Sequence, residues 1–198
     1  AGEKMAMPGG TNRTWEAVLA KADGSFTNAA LRGGYVYLPF VSEADQVMLL
    51  KAAGHTMVYV NGEPRAGDPY QNGSVALPVR LRRGTNDFLF SVGRGALRVR
   101  LARPSQPFGL DLRDNTLPDL ILGGKMETRG AVLVENSTTN FVRDLILSAS
   151  SPGGKSTETI VPGIRPLSTR KVGFPIQHSG KIDTNRVEFT LRLWRKQG

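Results

Sequence analysis

Hydrophobic side chains recur at every second residue in short runs of this chain, and turn-forming residues separate the runs. Val187, Phe189, Leu191 and Leu193 fall on one side of an extended segment, and Glu188, Thr190, Arg192 and Trp194 fall on the other. Residues 75–81, 88–92, 97–101 and 172–176 show the same period. This alternation is typical of β-strands that bury one face. The sequence therefore predicts an all-β fold of antiparallel sheets, arranged as two consecutive β-sandwiches.

Two segments also carry features of helices. Residues 46–53 follow a capping-box pattern at Ser42 to Asp45, but Val47 to Leu50 are apolar on every side, which favours a buried strand. Between residues 13 and 22, Trp15, Val18 and Leu19 are spaced as on a helix. Because a turn follows at residues 23–24, we expect no more than one helical turn there.

A change in composition and periodicity near residue 104 predicts a domain boundary. Residues 103–109 read Arg-Pro-Ser-Gln-Pro-Phe-Gly, with two prolines and no periodicity, as in a short stiff connection. We predict one domain over residues 1–104 and a second over residues 105–198. Each has about the 100 residues of a single β-sandwich.

Composition excludes several classes of protein. The chain has no cysteine, so it can form neither a disulfide framework nor a thiolate metal site. No uncharged apolar run approaches the roughly 20 residues of a membrane-spanning helix, and no membrane insertion is expected. The net charge of +9 is spread over both halves, which favours a solvated basic surface. The arginines at 80, 82, 98 and 100 lack interleaved aromatic residues, so nucleic acid is not an expected partner.

The first half carries a recognisable order of strands and turns. Residues 56–60 run into Asn61-Gly62, a pair that suits a tight hairpin turn, and residues 77–86 read Leu-Pro-Val-Arg-Leu-Arg-Arg-Gly-Thr-Asn before Phe-Leu-Phe-Ser-Val. Over about residues 30–103 this order resembles the galactose-binding-like jelly roll. That family includes non-catalytic domains of β-galactosidase and β-mannosidase relatives, and accessory modules of secreted hydrolases and peptidases. The resemblance implies structural roles for Asn61, Gly62, Gly84 and Asn86.

The second half, over about residues 110–196, resembles an immunoglobulin-like sandwich. The segments that carry the likeness are residues 131–137, 145–147 and 164–174 and the final strand. Together the two resemblances imply a non-catalytic accessory, structural or substrate-targeting part of a larger secreted hydrolase or peptidase. The expected location is extracellular or periplasmic, and the expected partner is the catalytic domain of the parent chain. A first residue other than Met and an end directly after a strand are what we expect of an excised piece.

One group of residues in the first half suits a polysaccharide or glycan. Tyr59, Arg65, Asp68, Tyr70 and Asn72 gather around the predicted hairpin and combine aromatic rings with hydrogen-bonding groups. They are the candidate ligand-binding residues, and the first sandwich would then be a carbohydrate-binding module. The simpler interpretation, which we favour, is that Tyr59 and Tyr70 cover the edge of the core while Asp68 fixes a turn.

No catalytic residue, metal site or cofactor is predicted. His55 and His178 fall in different predicted domains, both in turn-like contexts, and no Gly-x-Ser-x-Gly motif exposes a nucleophile. Asp111, Asp114 and Asp119 form an acidic segment that leaves calcium open as an alternative to ordinary turn carboxylates.

Overall fold

The structure, a computed structural model, describes residues 1–6, 10, 12–73, 75–119, 121, 123, 126–152, 154–178 and 186–196. Within these residues the regular structure is almost entirely β-strand, and a 3-10 turn at Ala29–Leu31 is the one helical element. Every strand pairing with a described register is antiparallel. The prediction of an all-β, antiparallel sandwich architecture is confirmed.

Within the described residues, the strands form four sheets of three or four strands and one two-stranded sheet. Their bounds are β1 Lys4–Ala6, β2 Asn12–Thr14, β3 Ser25–Thr27, β4 Gly34–Ser42, β5 Gln46–Ala53, β6 His55–Val60, β7 Glu63–Ala66, β8 Ala76–Leu81, β9 Gly84–Val92, β10 Ala96–Ala102, β11 Phe108–Thr116, β12 Met126–Asn136, β13 Leu145–Ser150, β14 Gly154–Lys155, β15 Thr157–Val161, β16 Ser168–His178 and β17 Thr190–Arg195. The sheet orders are β1-β2, β3-β10-β5-β8, β4-β9-β6-β7, β11-β12-β16-β14 and β15-β13-β17.

The period-two pattern predicts side-chain direction correctly near the end of the chain. Val187, Phe189, Leu191 and Leu193 pack against a buried core, and the residues between them are exposed. Residues 46–53 form a strand, as the apolar run indicated. Residues 15–22 contain no helical turn, so the helical spacing there was misleading.

The chain divides into two compact units. The first consists of Ala1–Pro39, Ala52–Gly73 and Asp87–Arg100, and the second of Phe40–Lys51, Ser74–Asn86 and Leu101–Gly198. The continuous domains 1–104 and 105–198 stay a prediction.

The first unit has an aliphatic and aromatic core. Val58 and Phe90 are completely buried, and Phe88 stacks on Phe90 with ring centroids 6.3 Å apart. Burying such a side chain contributes about 1.5–3 kcal/mol. The hairpin between β6 and β7 turns at Asn61 and Gly62, whose φ angles of 51° and 85° are the positive values that a type I′ turn requires.

A buried asparagine holds the turn that precedes β9, in the second unit. The Asn86 Oδ1 atom accepts from the Arg82 backbone N–H at 2.9 Å, and its Nδ2 atom donates to the carbonyls of Arg82 and Gly84. The structural role that the family resemblance implied for Asn86 therefore has a physical basis.

A hydrophobic core of the second unit is formed by residues of the sheets that contain β12 and β13. Its buried residues include Val132, Leu147 and Phe174. Asn136 is fully buried at the end of β12, and its Nδ2 atom donates to the carbonyls of Asn140, Ile164 and Arg165. An aliphatic replacement would remove all three bonds, and it would leave the Thr138 backbone N–H without the Oδ1 atom that accepts from it.

Substitutions at two glycines allow the cost of backbone strain to be measured separately from the cost of a steric overlap. Gly54 and Gly62 both have positive φ angles, but a Cβ atom on Gly54 would overlap the carbonyl oxygen of Ala96, whereas one on Gly62 meets nothing within 4 Å. We expect Gly62→Ala to cost about 1–2 kcal/mol of unfolding free energy. We expect Gly54→Ala to cost about 3–5 kcal/mol. Urea unfolding measures both, and equal losses would contradict the predicted overlap.

Candidate functional site

Two of the five predicted ligand-binding residues lie on opposite faces of one sheet. In the antiparallel pair β6-β7, Arg65 lies opposite Val58 and therefore shares its inward face, while Tyr59 lies opposite Pro64 on the outward face. Burial accordingly lowers the pKa of Arg65, against the opposing effect of Glu63. The register therefore assigns Tyr59 and Arg65 to opposite faces of this sheet.

The other three residues belong to the loop after β7. Asp68 is buried and accepts hydrogen bonds from the backbone N–H groups of Asn72 and Gly73, at 3.1 and 2.7 Å. Tyr70 is exposed, and the Arg94 guanidinium lies 5.6 Å from the centre of its ring. The bonds of Asp68 are those of a residue that fixes a turn, as in the simpler interpretation, whereas Tyr70 leaves 70% of its surface in solvent. A sugar-binding role for the five residues stays a prediction.

The outward face of the sheet β4-β9-β6-β7 carries a group of exposed tyrosines. Tyr35 and Tyr37 lie on β4 and Tyr59 on β6, with 41%, 48% and 37% of their surface exposed. Asp87 and Leu89 lie on the same face, on the strand β9 between them. We call Tyr35, Tyr37, Tyr59, Asp87 and Leu89 the tyrosine face.

Alternation along β9 holds this face outward. Asn86, Phe88 and Phe90 are buried, so Asp87 and Leu89 must point away from the core. Tyr59 lies directly opposite Leu89, which places the two side chains on the same side of the sheet. On β4, Val36 lies between the two tyrosines and Leu38 follows them, and both are less exposed than their neighbours.

A strong hydrogen bond fixes one of the tyrosines. The Tyr37 hydroxyl donates to the Asp87 carboxylate at 2.6 Å. That bond raises the pKa of Tyr37, with smaller contributions from burial and from the charge of Asp87. The backbone N–H of Asp87 in turn donates to the Asn61 side chain at 2.9 Å. Hydrogen bonds therefore link the hairpin turn at Asn61 to Asp87, and Asp87 to the hydroxyl of Tyr37.

The chemistry of the tyrosine face suits a polyhydroxylated ligand. An aromatic ring presents an apolar surface to the C–H groups of a sugar, and phenol and carboxylate oxygens supply fixed hydrogen-bonding positions. Sequence reasoning found Tyr59 but missed Tyr35 and Tyr37. The sequence signal that could have identified them is Tyr-Val-Tyr at residues 35–37, where two aromatic residues alternate with an aliphatic one as on a half-buried strand.

A pocket adjoins the tyrosine face at Tyr35. Its other lining residues include Arg13, Trp15, Glu16, Asn28 and Leu31. The backbone of Trp15 is held by hydrogen bonds to Gly2 and Glu3, at 2.8 and 2.9 Å. These bonds fix the backbone of Trp15 at this pocket.

A cleft in the second unit brings two carboxylates together. Asp111 and Glu135 lie on the neighbouring strands β11 and β12 and line a cavity of about 340 Å³ with Lys51 and Arg113. Arg113 bonds both oxygens of Asp111, at 2.9 and 2.6 Å, and the pKa of Asp111 is lowered although its burial opposes this. Burial raises the pKa of Glu135, which accepts the hydroxyl of Ser137. Asp111 is engaged with its arginine, and a structural ion pair describes it best.

The acidic segment does not gather into a metal site in the described part of the chain. Asp111 is bound to Arg113, and Asp114 lies 2.8 Å from the Lys171 ammonium. No group of three His, Asp or Glu side chains with a metal-binding arrangement occurs among the described residues. Among the helices described, none is long and apolar enough to cross a membrane.

Comparisons with known proteins give limited likeness. No protein-family model matches this chain, and no curated protein sequence matches it. Among solved structures, the exo-chitosanase of Amycolatopsis orientalis is 14% identical, with a TM-score of 0.32 over 81% of this chain and 20% of its own. A Bacteroides fragilis protein assigned as a β-galactosidase is 12% identical, with a TM-score of 0.32 over 94% of this chain and 31% of its own. The chain thus spans a minor part of both, and its own residues have to indicate its function.

His55 is buried, contrary to the expectation of a turn or surface position. It has no exposed surface, and neither ring nitrogen has a hydrogen-bond partner among the described residues. Its ring meets that of Phe90 edge to face, at 5.3 Å between centroids. Burial lowers the pKa of His55, while the charge of Asp68 and the carbonyl of Ala66 oppose this effect.

Burial of His55 predicts a loss of stability in acid. The unfolded chain binds a proton on this residue near the ordinary pKa of 6.5, whereas the folded chain binds it at lower pH. Stability is therefore unaffected above that value and falls as pH drops below it. Urea unfolding between about pH 7.5 and pH 5.5 should show a steeper fall for the wild type than for His55→Leu. If stability falls equally steeply with pH in both proteins, His55 is not the residue responsible. His178 is present in both proteins, so it does not contribute to the difference between them.

Proposed function

We propose that this chain is a non-catalytic module of a larger secreted hydrolase or peptidase, and that it targets the enzyme to carbohydrate through the tyrosine face. The observation that carries the proposal is the exposure of three tyrosines on one sheet face, with one hydroxyl fixed by Asp87 at 2.6 Å. Exposed apolar patches of this kind mark binding surfaces. The rings and oxygens of the tyrosine face match the chemistry of a sugar chain.

The finer fold assignments belong to this proposal. We infer a galactose-binding-like jelly roll over about residues 30–103 and an immunoglobulin-like sandwich over about residues 110–196. The positive φ angles at Asn61 and Gly62 and the buried side chain of Asn86 support the first assignment. An extracellular or periplasmic location and a catalytic domain elsewhere in the parent chain follow from the same proposal.

A second surface supports a role in packing against that catalytic domain. On the outward face of the sheet β15-β13-β17, Ile146 lies directly opposite both Ile160 and Trp194. Ile160 is 77% exposed, and Trp194 is also exposed. We call these three residues the apolar row. Contact with a partner domain would remove this apolar surface from water.

The tyrosine face predicts a specific pattern of variants. Tyr37→Ala and Tyr59→Ala should each weaken polysaccharide binding about tenfold, the equivalent of ~1.4 kcal/mol. Tyr70→Ala is the matched control, because Tyr70 is exposed but lies in the loop after β7. Affinity electrophoresis and calorimetry with cellulose, xylan, galactan, chitosan and starch measure the effect. Tyr37→Phe separates the ring from the hydroxyl.

Two results would count against carbohydrate targeting. The first is that none of the five polysaccharides binds the folded wild-type chain. The second is that Tyr70→Ala weakens binding while both variants of the tyrosine face bind normally, which would favour the loop residues instead.

The apolar row makes a separate prediction about the parent protein. The contribution of Trp194 to the fluorescence is obtained in each protein as the difference between the wild type and Trp194→Phe, because every other tryptophan is common to both. In the full-length protein we expect acrylamide to quench Trp194 fluorescence several-fold less than in residues 1–198 alone, because the catalytic domain covers the row. Equal quenching in the two proteins would exclude packing at this surface.

A further inference from the structure

A pocket of about 220 Å³ lies on the outward face of the sheet β3-β10-β5-β8, whereas the tyrosine face belongs to the sheet β4-β9-β6-β7. Phe26 on β3 and Leu97 on β10 lie opposite each other and are both buried, so the residues on either side of them face outward. Besides Leu97, the pocket is lined by Ser25, Thr27, Ala53, Gln71, Ala96 and Arg98, and we call it the arginine pocket.

The size of the arginine pocket suits one sugar ring. A volume of about 220 Å³ exceeds what an inorganic anion or a few water molecules need, since each water occupies ~30 Å³ in the liquid. It is smaller than the pockets of about 300–1,000 Å³ that take drug-sized ligands. The lining also suits a sugar, because Ala53 and Ala96 are apolar, whereas two hydroxyls, an amide and a guanidinium can form hydrogen bonds.

An ion pair positions the arginine of this pocket. The Arg98 Nη2 atom lies 3.7 Å from a carboxylate oxygen of Asp23. Asp23 in turn accepts hydrogen bonds from the hydroxyl and the backbone N–H of Ser25, at 2.6 and 3.0 Å, and these bonds lower the pKa of Asp23. Among the described residues, the Arg98 guanidinium forms this ion pair but no hydrogen bond, and 63% of the side chain is exposed. Its N–H groups are therefore available to a ligand.

The surroundings of the arginine pocket are positively charged. Arg100 faces the same side of β10 as Arg98, and its Nε atom donates to the Asp23 carbonyl at 3.4 Å. Arg94 lies in the turn before β10, and the Arg32 side chain packs against that turn. Asp23 balances one of these four charges. We therefore expect this part of the surface to attract anionic ligands.

The loop after β7 supplies one wall of the pocket. Gln71 has a φ angle of 61°, and its backbone N–H donates to the Asp68 carbonyl at 3.2 Å. The buried Asp68 carboxylate binds two further N–H groups of the loop. The side-chain amide of Gln71 lies beside Gly54, where a Cβ atom would be 3.3 Å from Nε2. The amide is thus placed at the pocket, where it can donate to one sugar hydroxyl and accept from another.

We infer that the arginine pocket binds a carboxylated sugar, the uronic acid unit of an acidic polysaccharide, with the carboxylate on Arg98 and the ring hydroxyls on Thr27 and Gln71. A guanidinium presents two parallel N–H groups that match a carboxylate. The pocket has room for the ring as well as the carboxylate, which favours a uronic acid over a bare phosphate or sulfate ion. The inference adds a second class of ligand to the proposed carbohydrate targeting, and it does not require the tyrosine face to bind.

The experiment compares oligosaccharides that differ only in their carboxyl groups. The probes are hexamers of galacturonic, glucuronic and mannuronic acid, each as the free acid and as the methyl ester, which keeps the ring but removes the charge. Calorimetry at about 0.15 M salt screens long-range attraction. For at least one of the three sugars, we expect the ester to bind the wild-type chain about tenfold more weakly than the acid, a difference of ~1.4 kcal/mol.

A matched pair of variants links this difference to the arginine pocket. Arg98→Gln should weaken binding of the free acid about tenfold or more, to the level of the ester. Arg80→Gln is the control, because Arg80 is also an exposed arginine on a strand, 2.9 Å from Asp45, and its loss changes the net charge equally. Both side chains are more than half exposed, so we expect both variants to fold, and thermal unfolding checks this. Arg98→Lys should recover only part of the affinity, because it keeps the charge but loses the paired N–H groups.

Three results would overturn the inference in different ways. Equal binding of acids and esters, or equal losses in Arg98→Gln and Arg80→Gln, would exclude a carboxylate site at this pocket. Tighter binding of hexathymidylate than of every uronic acid hexamer would show that the ligand is not a sugar acid. If no uronic acid hexamer binds the folded wild-type chain, the inference fails, whereas the proposed function fails only if the five polysaccharides that test the tyrosine face also do not bind.

Discussion

Burial of alternate residues in antiparallel strands positions each outward-facing group in this protein. Phe88 and Phe90 are buried in β9, and they oblige Asp87 and Leu89 to face outward between them. If the register slipped by one residue, both phenylalanines would enter water and the acid would enter the core. The tyrosine face is thus as well determined as the core beneath it, although its own exposed side chains contribute little to stability.

Polar side chains at the ends of the strands fix where each strand begins and ends. Asn61 accepts from the Asp87 backbone N–H, Asn86 bonds backbone groups of Arg82 and Gly84, and Asp68 bonds N–H groups of the loop after β7. Buried or half-buried polar groups need such partners, since an unsatisfied one costs about 1–3 kcal/mol. His55 departs from this pattern, because both of its ring nitrogens are buried without a partner among the described residues.

Much of the fold was predictable from the sequence, but much of the candidate site was not. The alternation in residues 187–194 predicted the direction of each side chain, and the Asn61-Gly62 pair predicted the turn. The helical spacing of Trp15, Val18 and Leu19 failed, because a few apolar residues at suitable intervals do not make a helix without length or packing. Closeness along the chain did not reveal on which side of the sheet each residue lies, since Tyr59 and Arg65 are close in sequence but belong to opposite faces of one sheet.

The sequence by itself determined that this chain forms antiparallel β-structure, because a period of two is a local property that any short segment displays. It also determined where several turns lie, since few residues other than glycine and asparagine adopt positive φ angles easily. Only the tertiary structure decided that Tyr35 and Tyr37 share a surface with Tyr59 and that His55 is buried. Those facts depend on which strands pair across long stretches of chain and on what covers each face, and neither is written in the local order of residues.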